Sequence, residues 1–545
     1  MNRLSACLVL FLCSVAFSQQ HPMSTDRPVT MMEGLGDLHH PVTTRNPEAQ
    51  QFFDQGLRLI YCFNHAEAER AFRHAAELDP KLAMAYWGVA EAVGPNYNDP
   101  ASDERFMQAH QAIQKALDLS SAVSASEQAY ISALAKRFPA DPKADRRKAA
   151  EGYRDAMRQV TKEFPDDLDA ATMFAESSMT LHPWGLWHLD GSPEEGTDEI
   201  IATLESVIKR DPNHLGAVHY YIHAVEASPS PERALAGANR LASLAPNAGH
   251  IVHMPAHVYI RTGDYDAAVK TNQQAAKVDE AYIKASAAQG IYPMMYYSHN
   301  LHFIAITAAM EGRYPEAIDA AQRLRDHVAP AVSAMPPLEG FMTIPMAVMA
   351  RFQKWDDILA LPQPDASLKT TTTIWHYARG MAFASTGKLA EAQKEYQALN
   401  AAYQATPPDA IFSMPFNNKS KNVLRIATDV LGAKIATAKH DDAAALTMLR
   451  EAVATQDALN YGEPPDWYFP VRESLGATLL RSGNAAEAER VFREDLAKNP
   501  RNPRSLFGLH EALQAQKRTY DAQFVEKQFE KAWKGSDVKL NIAEL

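Results

Sequence analysis

The chain has twenty histidines in 545 residues, yet eight of them fall between positions 214 and 302. Their spacing says more than their number. On an α-helix, residues three, four or seven positions apart return to nearly one direction. His219, His223 and Glu226 therefore share one helix face, His250, His253 and His257 share a second, and His299 and His302 form a third pair. Neutral imidazole nitrogens arrayed in this way suit a transition-metal ion, whose nitrogen ligands stand at about 2.0–2.2 Å. Beyond Cys7 and Cys13 near the N-terminus, Cys62 is the remaining cysteine, so the donor set is nitrogen and oxygen. That set favours zinc or copper, with iron or nickel also compatible, over thiolate-bound clusters. Two other uses fit the same residues: a polar ligand groove without metal, or structural hydrogen bonds alone.

Pro255 sits between His253 and His257, where its ring and missing N–H break or bend a helix. Local rules tend to be broken at functional places. Bound metal should be released below about pH 6, where imidazoles with an ordinary pKa of ~6.5 take up protons. An ion with an open position would make the protein a metal-dependent enzyme, oxidative or hydrolytic; the sequence leaves open whether it is one. His219-Tyr220-Tyr221-Ile222-His223 has the histidine spacing of a zinc protease but lacks the adjacent glutamate, and no phosphate-binding loop, nucleophile elbow or dinucleotide fingerprint is present.

The elements that must position these side chains repeat. In the segment 467–500, Leu475, Gly476, Gly483, Ala488, Phe492 and Pro500 occupy positions 7, 8, 15, 20, 24 and 32 of a 34-residue helical hairpin. Small residues at positions 8 and 20 let two helices approach, Gly483 ends the first helix and Pro500 ends the second. Residues 47–80 carry the same marks in Gly56, Ala68, Ala75 and Pro80, while Pro212 and Pro246 stand one period apart. Further turns are marked by Gly263-Asp264-Tyr265, Gly312-Arg313-Tyr314, Gln353-Lys354-Trp355 and Gly387-Lys388-Leu389.

On these residues the chain resembles the tetratricopeptide repeat superfamily. The resemblance implies an all-α solenoid of about a dozen helical hairpins over 46–535, wound as a right-handed superhelix with a concave groove. It also implies that positions 2, 5, 9 and 12 of each first helix line that groove. Counted from Pro212, Pro246 and Gly312, those positions hold His219, His223 and Glu226, then His250, His253 and His257, then His299 and His302. General knowledge of the superfamily implies a protein, peptide or small-molecule ligand in the groove, though this histidine lining departs from its usual lysine, arginine and asparagine clamps. The wording GHIVHMPAHVYIRTGDY, YYSHNLHF, EASPSPERAL and EPPDWYFPVRESLG is similar to a group of exported bacterial tetratricopeptide proteins of unassigned activity.

Two further segments are candidates for ligand or partner contact. Trp184, Trp187 and His188 lie in an aromatic insertion, running through Gly196, where an ordinary hairpin needs only a tight turn. Glu463, Trp467, Tyr468 and Glu473 flank a Pro464-Pro465 turn and the helix after it. Trp467 would equally serve as packing between repeats. The turn Gly94-Pro95-Asn96-Tyr97-Asn98 gives a weak signal.

Arg3 followed by the apolar run Leu4–Phe17, with Ala16 and Ser18 placed for a cut before Gln19, reads as a signal peptide over 1–18. Export to the periplasm or medium is the expectation, with an extended leader over 19–45 and a tail over 536–545. The apolar run is short of the ~20 residues that span a bilayer, and no other stretch qualifies. A formal net charge of -12, with 46% apolar and 22% charged residues, fits a large folded core and argues against general affinity for nucleic acid.

Overall fold

A computed structural model of the chain describes residues 27–141, 143–413 and 418–545. The signal-peptide segment lies outside the described residues. Those described are nearly all helical, with no strand and only three isolated bridges. Helices follow one another in packed pairs, and the second helix of several pairs starts at the residue ending each turn motif: Tyr265, Tyr314, Trp355 and Leu389. No helix among the described residues is long and apolar enough to cross a membrane.

The hairpin Val471–Arg481 and Ala485–Lys498 shows why these sequences pair. Gly483 takes φ +80 between the helices, in the left-handed region that glycine enters without a Cβ clash. A Cβ on Gly476 would stand 2.6 Å from the Phe492 ring, so the two helices close only because position 476 has none. Phe492 is fully buried, and truncating such a side chain to alanine costs about 3–5 kcal/mol. At the other end, Pro47 opens the first helix, and the Asn46 side chain accepts from the amides of Glu48 and Ala49.

Residues 27–46 contain no helix before Pro47 and lie against the first repeats. The Met32 amide donates to Gln55 Oε1 at 2.6 Å, Thr43 N–H to Glu127 Oε1 at 2.7 Å, and Asn247 N–H to the Gly34 carbonyl at 3.0 Å. The C-terminal repeats fold back on the central ones. Tyr265 Oη donates to the Pro500 carbonyl at 3.2 Å, the Asp537 amide to the Gly312 carbonyl at 3.0 Å, and Tyr461 Oη to Glu226 Oε2 at 3.2 Å. A solenoid with contacts only between neighbouring repeats would leave its groove open. Here contacts across more than 200 residues close the chain around the histidine-bearing helices.

Candidate metal centre

Three helical segments carry the histidines. Leu215–Val225 presents His219 and His223 one turn apart and ends at Glu226. Gly249–His253 and Pro255–Thr262 follow one another with a break at Met254, and Pro255 is the first residue after it. The proline has no N–H to donate, and His253 and His257, four residues apart across it, stand ring to ring with centroids 4.8 Å apart. Ser298–Met310 carries His299 and His302 and is entered through a π-helical turn, Tyr292–Tyr297. Such turns recur at functional sites.

Six histidines converge as two groups of three, His219 with His223 and His250, and His253 with His257 and His299. Within each group one ring nitrogen per residue lies within 4.8 Å of the others. His219 Nε2 faces His250 Nε2 at 3.0 Å, and His253 Nε2 faces His257 Nε2 at 2.9 Å. Three of the Nδ1 atoms are held from behind. His219 Nδ1 donates to the Tyr61 carbonyl at 2.7 Å, His253 Nδ1 to Asn272 Oδ1 at 2.7 Å, and His223 Nδ1 to Glu226 Oε1 at 2.8 Å. His257 Nδ1 lies 2.5 Å from Glu226 Oε2. Five of the six rings are buried, with His219 at 0% and His250 at 3% exposure; His299 is partly exposed.

Burial and mutual proximity hold His219, His250, His253 and His299 well below the ordinary imidazole range, and burial lowers His223 as well. These rings are neutral at pH 7 and offer lone pairs. Proton competition for them therefore sets in at lower pH than the expected threshold near 6, which assumed solvated imidazoles. The Glu226 carboxyl is fully buried, which alone would raise its pKa, yet His257 and His223 hold it well below the usual carboxylate range. It is ionised.

Glu226 thus stands behind the rings, as the carboxylate that orients His223 and His257, and not among the nitrogens that meet. Carboxylates of this kind fix the tautomer and direction of metal-binding histidines. His302 belongs to neither group. Its ring packs against Phe341 and Tyr468, and burial lowers its pKa to about 3.

Aromatic side chains wall the cluster. Phe63 stacks on His250 at 5.2 Å and meets His219 edge-on at 4.6 Å, while Phe303 touches His253, His257 and His299 at 4.9–5.0 Å. Trp184 contacts a ring from each group, His223 at 5.7 Å and His257 at 6.5 Å. Tyr97 meets His223 at 5.3 Å and Tyr296 meets His250 at 4.9 Å.

Of the other anticipated contact residues, Glu463 comes nearest to the cluster. It is buried close to Tyr461, and burial pushes its carboxyl up to about 7 against the pull of Arg261 and His257. The rest lie elsewhere. Trp187 donates its indole N–H to the Ala224 carbonyl at 2.8 Å, and His188 is exposed, with Nε2 3.6 Å from Glu194. Trp467 packs on Tyr377, and Tyr468 joins Thr343 at 3.2 Å. Glu473 is buried in a paired contact with Arg351, at 2.9 and 3.2 Å, and accepts from Asn502 at 2.9 Å. Tyr61, Asn272, Tyr296 and Tyr461 were not anticipated; Tyr61 and Tyr461 reach the cluster from distant repeats, and Asn272 from the helix that follows Pro255–Thr262. Tyr97 and Asn98 belong to the turn that gave only a weak signal.

Residues 251–282, which include His253, His257 and Asn272, match the tetratricopeptide repeat family model. This stretch is a tetratricopeptide repeat. Among solved structures, the chain is similar to human IFIT1 in a dimer with m7Gppp-AAAA, at 11% identity over 90% of this chain and 91% of that one, with a TM-score of 0.33. It is similar to the Cut9-Hcn1 heterotetramer of APC/C at 12% identity over 85% and 76%, TM-score 0.32. Yeast Tom70 follows at 10% identity over 89% and 93%, TM-score 0.29. No curated protein matches the chain.

Proposed function

We propose that this is an exported helical-repeat protein that holds a transition metal, zinc or copper ahead of iron or nickel, in its six-histidine cluster. The observation that carries the reading is the opposed pair His253 and His257. Asn272 Nδ2 donates to the Ala268 carbonyl at 2.8 Å, which fixes Oδ1 as the acceptor facing His253 Nδ1. His257 Nδ1 lies 2.5 Å from Oε2 of the ionised Glu226. With the ring proton of each on Nδ1, both Nε2 atoms carry lone pairs, and they face each other at 2.9 Å. Two buried acceptors at that distance repel, and a shared cation converts the repulsion into ligation. Nitrogens about 2.1 Å from one ion and subtending roughly a right angle at it stand about 3 Å apart.

The helical-repeat scaffold supports a protein- or ligand-binding role, and the net charge of -12 favours partners other than nucleic acid. Export rests on the Leu4–Phe17 run and its flanking residues. A second reading, a metal-dependent enzyme of oxidative or hydrolytic type, is favoured by the three nitrogens of each group. Catalytic sites keep three protein ligands and one open position.

The test is elemental analysis of protein purified without a histidine tag. Stoichiometric transition metal is expected, at least half of it lost in His253→Ala/His257→Ala and all of it retained in His74→Ala or His376→Ala, whose rings pair with Glu77 and Glu395 away from the cluster. No metal after reconstitution with zinc, copper, iron and nickel would overturn the reading.

A further inference from the structure

We infer that the cluster is a two-ion centre, one ion per histidine group, with a shared position between them for a small anion. The inference rests on the metal reading above. A single ion binding all six rings would need six nitrogens within about 4.2 Å of one another, twice a ligand distance of ~2.1 Å. The six instead divide into two complete sets of three. Within the first set, His219 lies 5.0 Å from His223 and 4.9 Å from His250, centroid to centroid; within the second, His253 lies 4.8 Å from both His257 and His299. The sets touch through His223 with His257 at 5.9 Å and His250 with His253 at 5.8 Å.

One residue fixes that spacing. Glu226 turns Oε1 to His223 and Oε2 to His257, so a single carboxylate holds one ring of each set. Two sites tied at this separation suit a metal pair, whose ions stand about 3.5–4 Å apart when they share a ligand.

Charge then selects the ligand. Two divalent ions bring four positive charges to a buried place where the orienting Glu226 supplies one negative charge and Glu463, close by, at most another. The remaining wall, Phe63, Tyr97, Trp184 and Phe303, supplies none, and uncompensated buried charge is costly. An anion that touches both ions removes the excess. It must be small. Five of the six rings are buried, and the partly exposed His299 marks the side open to solvent, so a peptide strand cannot reach the metals.

The experiment loads the full chain with cobalt(II), counts metal per chain and titrates azide while following the visible d–d bands. Two equivalents are expected in the parent protein. One equivalent is expected in His219→Ala/His250→Ala and one in His253→Ala/His257→Ala, because each variant leaves the other set whole. Azide should shift the parent bands, and each half-site variant should need at least tenfold more azide for the same shift. Circular dichroism checks folding, and His→Gln replacements at the same positions stand in for any alanine variant that fails to fold. One equivalent in the parent, lost in only one of the two double variants, would overturn the two-ion centre and leave the metal reading standing. No cobalt in the parent would overturn both. Bands unmoved by azide would overturn the shared anion position.

Discussion

The indole N–H of Trp184 donates to Asn98 Oδ1 at 3.1 Å, while Nδ2 of the same amide donates to the Tyr296 hydroxyl at 3.3 Å. One side chain thereby ties together three segments distant in sequence: the turn after Ala83–Val93, the aromatic insertion after Leu168–Met179, and the π-helical turn Tyr292–Tyr297. Both partners of Asn98 lie on histidines, Trp184 on His223 and Tyr296 on His250. Trp184 also takes φ 59, a left-handed conformation that costs a non-glycine residue about 1–3 kcal/mol and persists only when its surroundings hold it.

Asn98→Ala should therefore loosen the cover without removing a ligand. Losing two hydrogen bonds, each worth about 1 kcal/mol, would speed extraction of bound metal by a chelator up to roughly thirtyfold, with stoichiometry at zero time unchanged. Trp184→Ala should speed it further. Extraction rates equal to the parent in both variants would show that metal leaves by another route.

Glu226→Gln tests the carboxylate behind the rings. The amide oxygen can accept from one imidazole N–H, but its NH2 end cannot accept from the other, so either His223 or His257 loses its orienting partner. Metal affinity should fall about 10–100-fold by competition titration, with helix content by circular dichroism unchanged. An unchanged affinity would mean that packing alone holds the two rings.

What the sequence revealed and what it hid divide along a physical line. Periodicity is local, so the faces of 219/223 and 250/253/257, the break imposed by Pro255 and the hairpin turns could all be read from spacing. Which nitrogen of each ring points inward is set by partners elsewhere in the chain: the Tyr61 carbonyl, Asn272, and the Oε atoms of Glu226. A helical wheel places Glu226 on the histidine face but cannot tell a ligand from the group behind one. Closure of the groove was equally hidden, since it depends on contacts such as Tyr461 with Glu226 and Tyr265 with Pro500, which no repeat pattern encodes.

Two glycine substitutions should act in opposite directions. A methyl group at Gly249 would overlap the Asp279 carboxylate, which cannot retreat because it accepts from Tyr292 Oη at 2.9 Å and Asn300 Nδ2 at 2.7 Å. Gly249→Ala should destabilise by about 1–3 kcal/mol, and, being next to His250, should lower metal content as well. Gly152 lies inside the helix Arg146–Glu163, and the nearest atom a Cβ would meet is 3.8 Å away. Gly152→Ala should raise stability by about 0.5–1 kcal/mol through the helix preference of alanine. Urea unfolding of both variants measures the contrast, and equal effects would contradict it.

Stability should decline on the alkaline side because of a second buried group of charges. Arg137 reaches Glu91 Oε1 at 3.4 Å and Glu176 Oε2 at 4.0 Å, with its guanidinium 5.1 Å from the Tyr153 ring centroid. Burial pushes the Glu176 carboxyl up to about 8; Arg137 opposes the rise, and Glu91 adds to it. In the unfolded chain the same group titrates near ~4.3. Between those values the folded protein binds a proton that the unfolded chain has released, so stability falls as pH rises from about 4.3 toward about 8 and levels off above. Glu176→Gln keeps the shape and removes the titration, so the drop in melting temperature between pH 5 and pH 9 should shrink relative to the parent. An undiminished drop would mean that Glu176 is already ionised at pH 5 as a partner of Arg137, and that the alkaline loss arises from other groups.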